Sequence, residues 1–236
     1  QLGKDGSMYS QEYEKLTAAI EKFYWDEEKG AYIDSFTSGK RNVTRHANIF
    51  AVLFSIADKE KQEKILTNVL ENEKIPAITT PYFNFFELDV LCQMGKLQEV
   101  LDKIRSYWGG MLDLGAVTFW EEYDPSVPKE EQYDMYGDHF GKSLCHAWAA
   151  SPIYFLAKYF AGLDLVNKDG VTYVLKPQMQ YFTDLDCTLP VGSDGTVRLA
   201  WDGECLEVTA DAEGGVLEFG EEKISLVRGE TRRVKI

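Results

Sequence analysis

The residues best suited to chemistry lie in WGGMLDLGAVTFWEEYDPS, residues 108–126, where Trp120 is followed by Glu121 and Glu122, with Asp113 and Asp124 nearby. Acids alone would describe a solvated loop, but these adjoin bulky rings that water-exposed loops avoid. Such an arrangement raises a carboxylate's pKa and offers a platform on which a sugar ring stacks. Two other loops carry related groups. FYWDEEKGAYIDSF, residues 23–36, holds Trp25, Asp26, Tyr32 and Asp34, with aromatics that also suit loop packing. TTPYFNFFELD, residues 79–89, supplies Thr79, Thr80 and Tyr82 at the start of a helical pattern, with Glu87 and Asp89 a turn or two deeper. Those two acids fit internal capping or pairing better than catalysis. SLCHAW places His146 in the first turn of another helical pattern, and His46 holds a similar place in its own. A lone helical histidine is ordinarily structural; two beside carboxylates at one mouth suit ligand binding as well as structure.

Six helical patterns position these groups. Residues 11–25 show one apolar face, Tyr13, Leu16, Ile20, Phe23 and Tyr24, whereas 44–57 is apolar nearly all round. The alternation repeats: 60–71 one-sided, 81–94 apolar on most faces with Pro81 at N1, 97–108 one-sided and ended by Gly109-Gly110, and 143–161 the most apolar, kinked at Pro152. Trp108, on the apolar side of the fifth, reads as core. Outer and inner helices in strict succession imply helical hairpins in two concentric layers. The inner-to-outer links are tight and the outer-to-inner links long (26–43, 72–80, 110–142), so the inner helices' N-termini gather at one mouth. Function is expected there.

From about residue 165 the hydrophobic period becomes two. Six segments, VTYVLKP, FTDLDCTLP, GTVRLAWDG, ECLEVTA, GGVLEFG and KISLVRGE, predict a small antiparallel sandwich. The predicted organisation is mainly α with a β domain: 1–163 helical, 164–236 a supporting sandwich. Trp201 and Tyr181 make only a weak case for carbohydrate binding by the latter.

Composition narrows the classes further. The 236 residues carry 25 basic and 39 acidic side chains, a formal net charge of −14, with the basic residues dispersed. That balance repels phosphate backbones and anionic lipid, so neither nucleic acid nor membrane is an expected partner. No apolar run approaches a membrane span, and the start, QLGKDGSMYSQEYEKL, lacks a basic segment followed by an apolar one. The compartment stays open, cytoplasmic or periplasmic, and the first residue, Gln1, suggests an incomplete chain. Four cysteines without CxxC or Cys/His spacing read as buried reduced thiols. Neither a metal nor a cofactor is expected.

WGGMLDLGAVTFWEEYDPS, followed by HFGKSLCHAWAASPIYFLAKYFAGL, resembles the C-terminal part of bacterial α-L-rhamnosidases, glycoside hydrolase family 78. HANIFAVLFSIA, TTPYFNFFELDVL and DGVTYVLKP to LAWDGECLEVTA occur in the family's order, so the resemblance spans most of the chain. It implies half of an (α/α)6 barrel with a β-sandwich, and inverting hydrolysis of terminal α-L-rhamnosides by an acid and a base. The family's Ala-Thr-Thr-x-Trp-Glu stretch falls on Ala116 to Glu121, making Glu121 the general base. Its Ser-Leu-Asn-His stretch falls on Ser143 to His146, making His146 a rhamnose contact. Val117 stands for Thr and Cys145 for Asn, which bears on substrate identity.

The family's general-acid motif, of Asp-Cys-Pro-x-Arg-x-Glu type, is missing. Six helices likewise make half of a twelve-helix barrel. The missing half, or a second copy, is the expected partner, besides a rhamnose-containing glycan. Beside Glu121, His146, Trp120, Tyr82 and His46 are the expected substrate-binding residues. Glu122, next in an extended segment, would point elsewhere. The alternatives are another (α/α)6 glycosidase, a glucosidase or uronyl hydrolase, or a noncatalytic glycan-binding protein. A helical interaction scaffold leaves the acid and aromatic loops without a role.

Overall fold

A computed structural model describes residues 5–168, 170–193 and 195–235. Helices come first and strands second, with the change at residue 163, where the hydrophobic period predicts it. By internal contact the chain divides into two units, 1–96 with 107–149, and 97–106 with 150–236.

In the first unit, α1 (Ser7–Tyr24) leads into a two-strand ribbon, β1 (Trp25–Asp26) and β2 (Ala31–Tyr32). Among the described residues the apolar face of α1 is only partly covered: no residue of α1 is buried, and Leu16 is 61% exposed. α2 (Arg45–Leu53) buries Ile49, Ala51 and Val52, and α4 (Pro81–Gln93) buries Leu88, Val90 and Leu91. Between them α3 (Lys59–Ile65), capped by Asp58 on the Lys61 amide, buries only Ile65 before a wide turn, Leu66–Leu70, tucks in Val69 and Leu70. Exposed and buried helices thus alternate along α1 to α4. Phe54 nevertheless stands 61% exposed where burial on every side was expected.

Two expectations fail in the connecting segments. Helix does not stop at Gly109-Gly110: α5 (Leu97–Lys103), a wide turn Ile104–Trp108 and α6 (Gly109–Asp113) run on without a break. The stop is Gly115, at φ +92, where the amides of Ala116 and Gly115 bond the carbonyls of Met111 and Leu112 at 3.0 and 2.8 Å. This is the paired bonding of a Schellman cap. Gly110 has another purpose, because a Cβ there would stand 2.6 Å from Cζ of Tyr123.

Nor does helix begin at 143. Residues 143–146 are irregular, a single turn of 3-10 helix follows (Ala147–Ala149), and α7 (Ser151–Phe155) continues as a wide turn to Phe160. Pro152 sits in the first turn of α7, where its lacking N–H costs nothing, and so starts a helix instead of kinking one.

Among its described residues the second unit holds eight strands, two more than expected. β3 (Leu163–Lys168) and β10 (Thr231–Lys235) join β4 (Val171–Leu175), β5 (Leu185–Val191), β6 (Gly195–Trp201), β7 (Cys205–Ala210), β8 (Gly215–Phe219) and β9 (Glu222–Leu226). They form two four-stranded sheets, ordered β10-β7-β6-β5 and β3-β4-β8-β9. Inward residues alternate: Val197, Leu199 and Trp201 of β6 lie opposite Ala210, Val208 and Leu206 of β7. They share one core with Tyr173, Leu175, Leu217 and Leu226 of the other sheet. The pairing is not wholly antiparallel, since β4 and β8 run parallel.

The cysteines are free thiols, but only Cys92 is buried and Cys145 is exposed, against the expectation of four buried ones. Cys145 lies in the irregular stretch that replaces the start of the sixth helix.

Candidate active site

The site is built where 118–121 and 143–146 run side by side. The Glu121 amide donates to the Ser143 carbonyl at 2.9 Å and the His146 amide to the Phe119 carbonyl at 2.8 Å, while the Thr118 hydroxyl bonds the Leu144 carbonyl. These bonds use the backbone groups that a helix from 143 would need, which is why that helix starts later.

The pairing fixes Glu121. Its side chain is 8% exposed, with Nδ1 of His146 3.9 Å from Oε2. Oε1 accepts a 2.7 Å hydrogen bond from the Tyr136 hydroxyl, and Oε2 accepts one from the Ser143 amide at 3.1 Å. The Tyr136 bond holds the carboxyl below the usual carboxylate range; burial opposes, but the Ser143 amide and the charges of His146 and Lys142 reinforce the lowering. This corrects the expectation that neighbouring aromatics raise a carboxylate's pKa here. Donors aimed at both oxygens outweigh desolvation, so the surroundings favour the ionised form of Glu121.

Lys142 is buried, which pushes its ammonium down, although Glu122, Asp124, Asp134 and Glu121 favour its charge. Asp124 caps a turn, accepting from the amide and hydroxyl of Ser126 at 2.9 and 2.6 Å. Asp113 is exposed.

From Glu121 a line of rings leads away. His146 meets Trp148 at 4.1 Å between ring centres and Trp148 meets Tyr82 at 5.3 Å, both tilted; Tyr82 packs edge-on against Phe86 at 5.7 Å, and tilted contacts join Phe86 to Phe83 at 5.3 Å and Phe83 to His46 at 4.1 Å. His146, Tyr82 and His46 are thus linked by a chain of ring contacts, with Tyr82 and Trp148 about half exposed. α2 and α4 present His46 and Tyr82 from their first turns, α4 being started by Pro81 after Thr80.

Trp120 stands apart. It is 3% exposed and packs edge-on against Tyr133, so its ring is interior support where a sugar platform was expected. In an extended segment, side chains alternate, and Glu121 takes the side toward His146. Trp108 is buried, its indole N–H donating to the Ala149 carbonyl at 2.8 Å.

Glu87, Asp26 and Asp34 are taken up in ion pairs and hydrogen bonds within the fold. Glu87 forms a buried ion pair with Arg45 at 3.0 Å, linking α4 to α2. Asp26 bonds Arg41 at 2.7 Å and the amides of Glu28 and Lys29; Asp34 bonds the amide and hydroxyl of Thr44. Tyr32 is buried against Trp25, with its hydroxyl on Glu21.

Two members of the site escaped sequence reasoning. Trp148 adjoins His146 within SLCHAW, and its exposure depends on the short 3-10 turn that holds it. Tyr136 lies in the acidic loop 129–138 with no periodicity to mark it; the adjoining Gly137 was the available signal of a turn. Among the described residues no group of three His, Cys, Asp or Glu side chains is disposed to hold a metal ion, and no helix is long and apolar enough to cross a membrane.

Residues 2–160 match the bacterial alpha-L-rhamnosidase 6 hairpin glycosidase domain. No curated protein matches the chain. Among solved structures, it is similar to a rhamnosidase from Klebsiella oxytoca with rhamnose bound, at 31% identity and TM-score 0.58 over 65% of this chain and 29% of that one. Two others share the fold. A family 78 rhamnosidase of Bacillus sp. GL1 is 24% identical, with TM-score 0.70 over 87% of this chain and 22% of that one. An α-L-rhamnosidase from Dictyoglumus thermophilum is 18% identical, with TM-score 0.65 over 99% and 28%. The chain thus spans less than a third of the length of each.

Proposed function

Since the chain belongs to the bacterial α-L-rhamnosidase six-hairpin glycosidase family, we propose that it carries the general-base side of an inverting α-L-rhamnosidase site. The observation that supports this most is Glu121: nearly buried, bonded at both oxygens, and held ionised beside His146. In this reading Glu121 takes a proton from a water poised on the sugar face opposite the leaving group. An acid roughly 6.5–9.5 Å away protonates the departing oxygen. That acid comes from residues other than those described here, as the absent Asp-Cys-Pro-x-Arg-x-Glu motif suggests. Tyr82 and Trp148 meet the apolar face and C6 methyl of rhamnose, and His146 and His46 bond its hydroxyls. The helices of this chain form part of an (α/α)6 barrel, with the two sheets packed as a supporting sandwich.

The test is Glu121→Gln in the enzyme encoded by the intact gene, assayed on an aryl α-L-rhamnoside. The amide keeps the shape but accepts no proton, so kcat falls by 10² or more while rhamnose affinity stays. Azide, as an external nucleophile, restores part of the turnover. An unchanged kcat would move the base to another carboxylate. Product configuration, followed by NMR, distinguishes inversion from retention. The 236-residue chain alone gives no measurable turnover; robust turnover would refute the assignment of the acid to other residues.

A further inference from the structure

Tyr136 occupies a backbone position that a tyrosine rarely takes. It has φ +55 and is followed by Gly137 at φ +81, the two forming the centre of a tight turn. The turn is closed by paired bonds of 2.9 Å between Met135 and Asp138, amide to carbonyl in each direction. Positive φ at both central residues is the type I′ geometry that asparagine and glycine fill without strain. The ring does not explain the choice by burial, because the residue is 81% exposed. What the side chain does is place its hydroxyl 2.7 Å from Oε1 of Glu121.

We infer that Tyr136 is a positioning residue for the base, kept in a strained turn so that its phenol locks the orientation of the Glu121 carboxylate. The inference rests on the reading of Glu121 as base. Strain retained where a side chain meets a reacting group runs from an observed outlier to a function. The Ser143 amide alone anchors Oε2 and leaves the carboxylate free to rock about that bond. Tyr136 supplies the second anchor, so the plane of the carboxylate, and with it the lone pair offered to water, is fixed. The other charged groups acting on Glu121 are His146 and Lys142, and Glu122 acts on Tyr136. None of these replaces a bond to Oε1.

Tyr136→Phe keeps the ring and the turn and removes only the donor. In the enzyme from the intact gene, kcat on an aryl α-L-rhamnoside is expected to fall roughly tenfold, as for loss of a charge-assisted hydrogen bond, with KM within about twofold. The acidic limb of the kcat/KM profile moves to higher pH, because Glu121 loses a bond that favours its ionised form. A purely structural role would leave that limb in place. In the 236-residue chain, 13C NMR of the Glu121 carboxyl reads the same upward shift without any turnover. Glu121→Gln run alongside separates the failures. If it is inactive while Tyr136→Phe shows the parent rate, pH profile and NMR titration, the positioning role is overturned and the base stands. If Glu121→Gln keeps full turnover, the base falls and the role of Tyr136 falls with it.

Discussion

Adding one methyl group at each of two neighbouring glycines is expected to change stability in opposite directions. Gly109 and Gly110 both lie in α6, neither at positive φ, and by helix propensity alone either Gly→Ala exchange gains up to about 1 kcal/mol. At Gly109 nothing outside the local helix backbone lies within 4 Å of the new Cβ, so the gain is realised. At Gly110 the Cβ falls 2.6 and 2.7 Å from Cζ and Cε1 of Tyr123. Tyr123 is not a loose side chain: its ring packs edge-on against Tyr107 at 5.5 Å, and its amide donates to the Tyr107 hydroxyl at 3.0 Å. Overpacking of this kind costs about 1–3 kcal/mol, which exceeds the propensity gain, leaving a net loss of about 1 kcal/mol or more. Thermal unfolding should place Gly109→Ala above the parent and Gly110→Ala below it, by roughly 2–4 °C each. Because Tyr123 lies two residues from Glu121, Gly110→Ala should also perturb amide signals of 119–123, which Gly109→Ala leaves in place. Stabilisation by both substitutions would refute the packing assigned to Tyr123 and return Gly110 to an ordinary helix glycine.

Arg45→Met should lower the melting temperature by roughly 6–12 °C, since breaking a buried ion pair costs about 3 kcal/mol or more; adding Glu87→Leu should recover much of it. A single variant that melts like the parent would show the pair to be dispensable. For Asp26, burial acts to raise the pKa, but bonds from Arg41 and the amides of Lys29 and Glu28 together lower it. A lowered carboxylate pKa contributes stability above the unfolded value and loses it as pH falls through the folded one. The stability gap between parent and Asp26→Asn should therefore be open at pH 7 and close below about pH 4, as urea titrations at several pH values would read; a constant gap would contradict this. Trp148→Ala should weaken rhamnose binding roughly tenfold by calorimetry in the enzyme from the intact gene, as expected for a lost half-exposed stacking surface. Unaltered affinity would remove Trp148 from the site.

Periodicity was legible wherever a segment's environment is set by its own pattern. The alternation of exposed and buried helices along α1 to α4, the switch to strands at 163, and the inward residues of β6 and β7 all follow from the spacing of apolar side chains. Pro81 marked the start of α4 for a local reason, its fixed φ and missing N–H. The acid and aromatic loop was legible as the place for chemistry, because residue types alone reveal carboxylates among rings.

What the pattern left undecided depended on partners distant in sequence. Gly110 reads as a helix end until Tyr123 comes up against it, and the true end at Gly115 needs a backbone turn rather than a composition. Residues 143–146 look helical in isolation, yet pairing with 118–121 claims their backbone bonds and brings His146 beside Glu121. Trp120 and Trp148 are the same residue type in neighbouring motifs; packing buries the first against Tyr133 and leaves the second half exposed. The downward direction of the Glu121 pKa shift was out of reach altogether, since it depends on a hydroxyl fifteen residues away and an amide twenty-two away. Sequence states which groups are available; only the tertiary arrangement decides which of them share a hydrogen bond, and that sharing fixes the sign of a pKa shift.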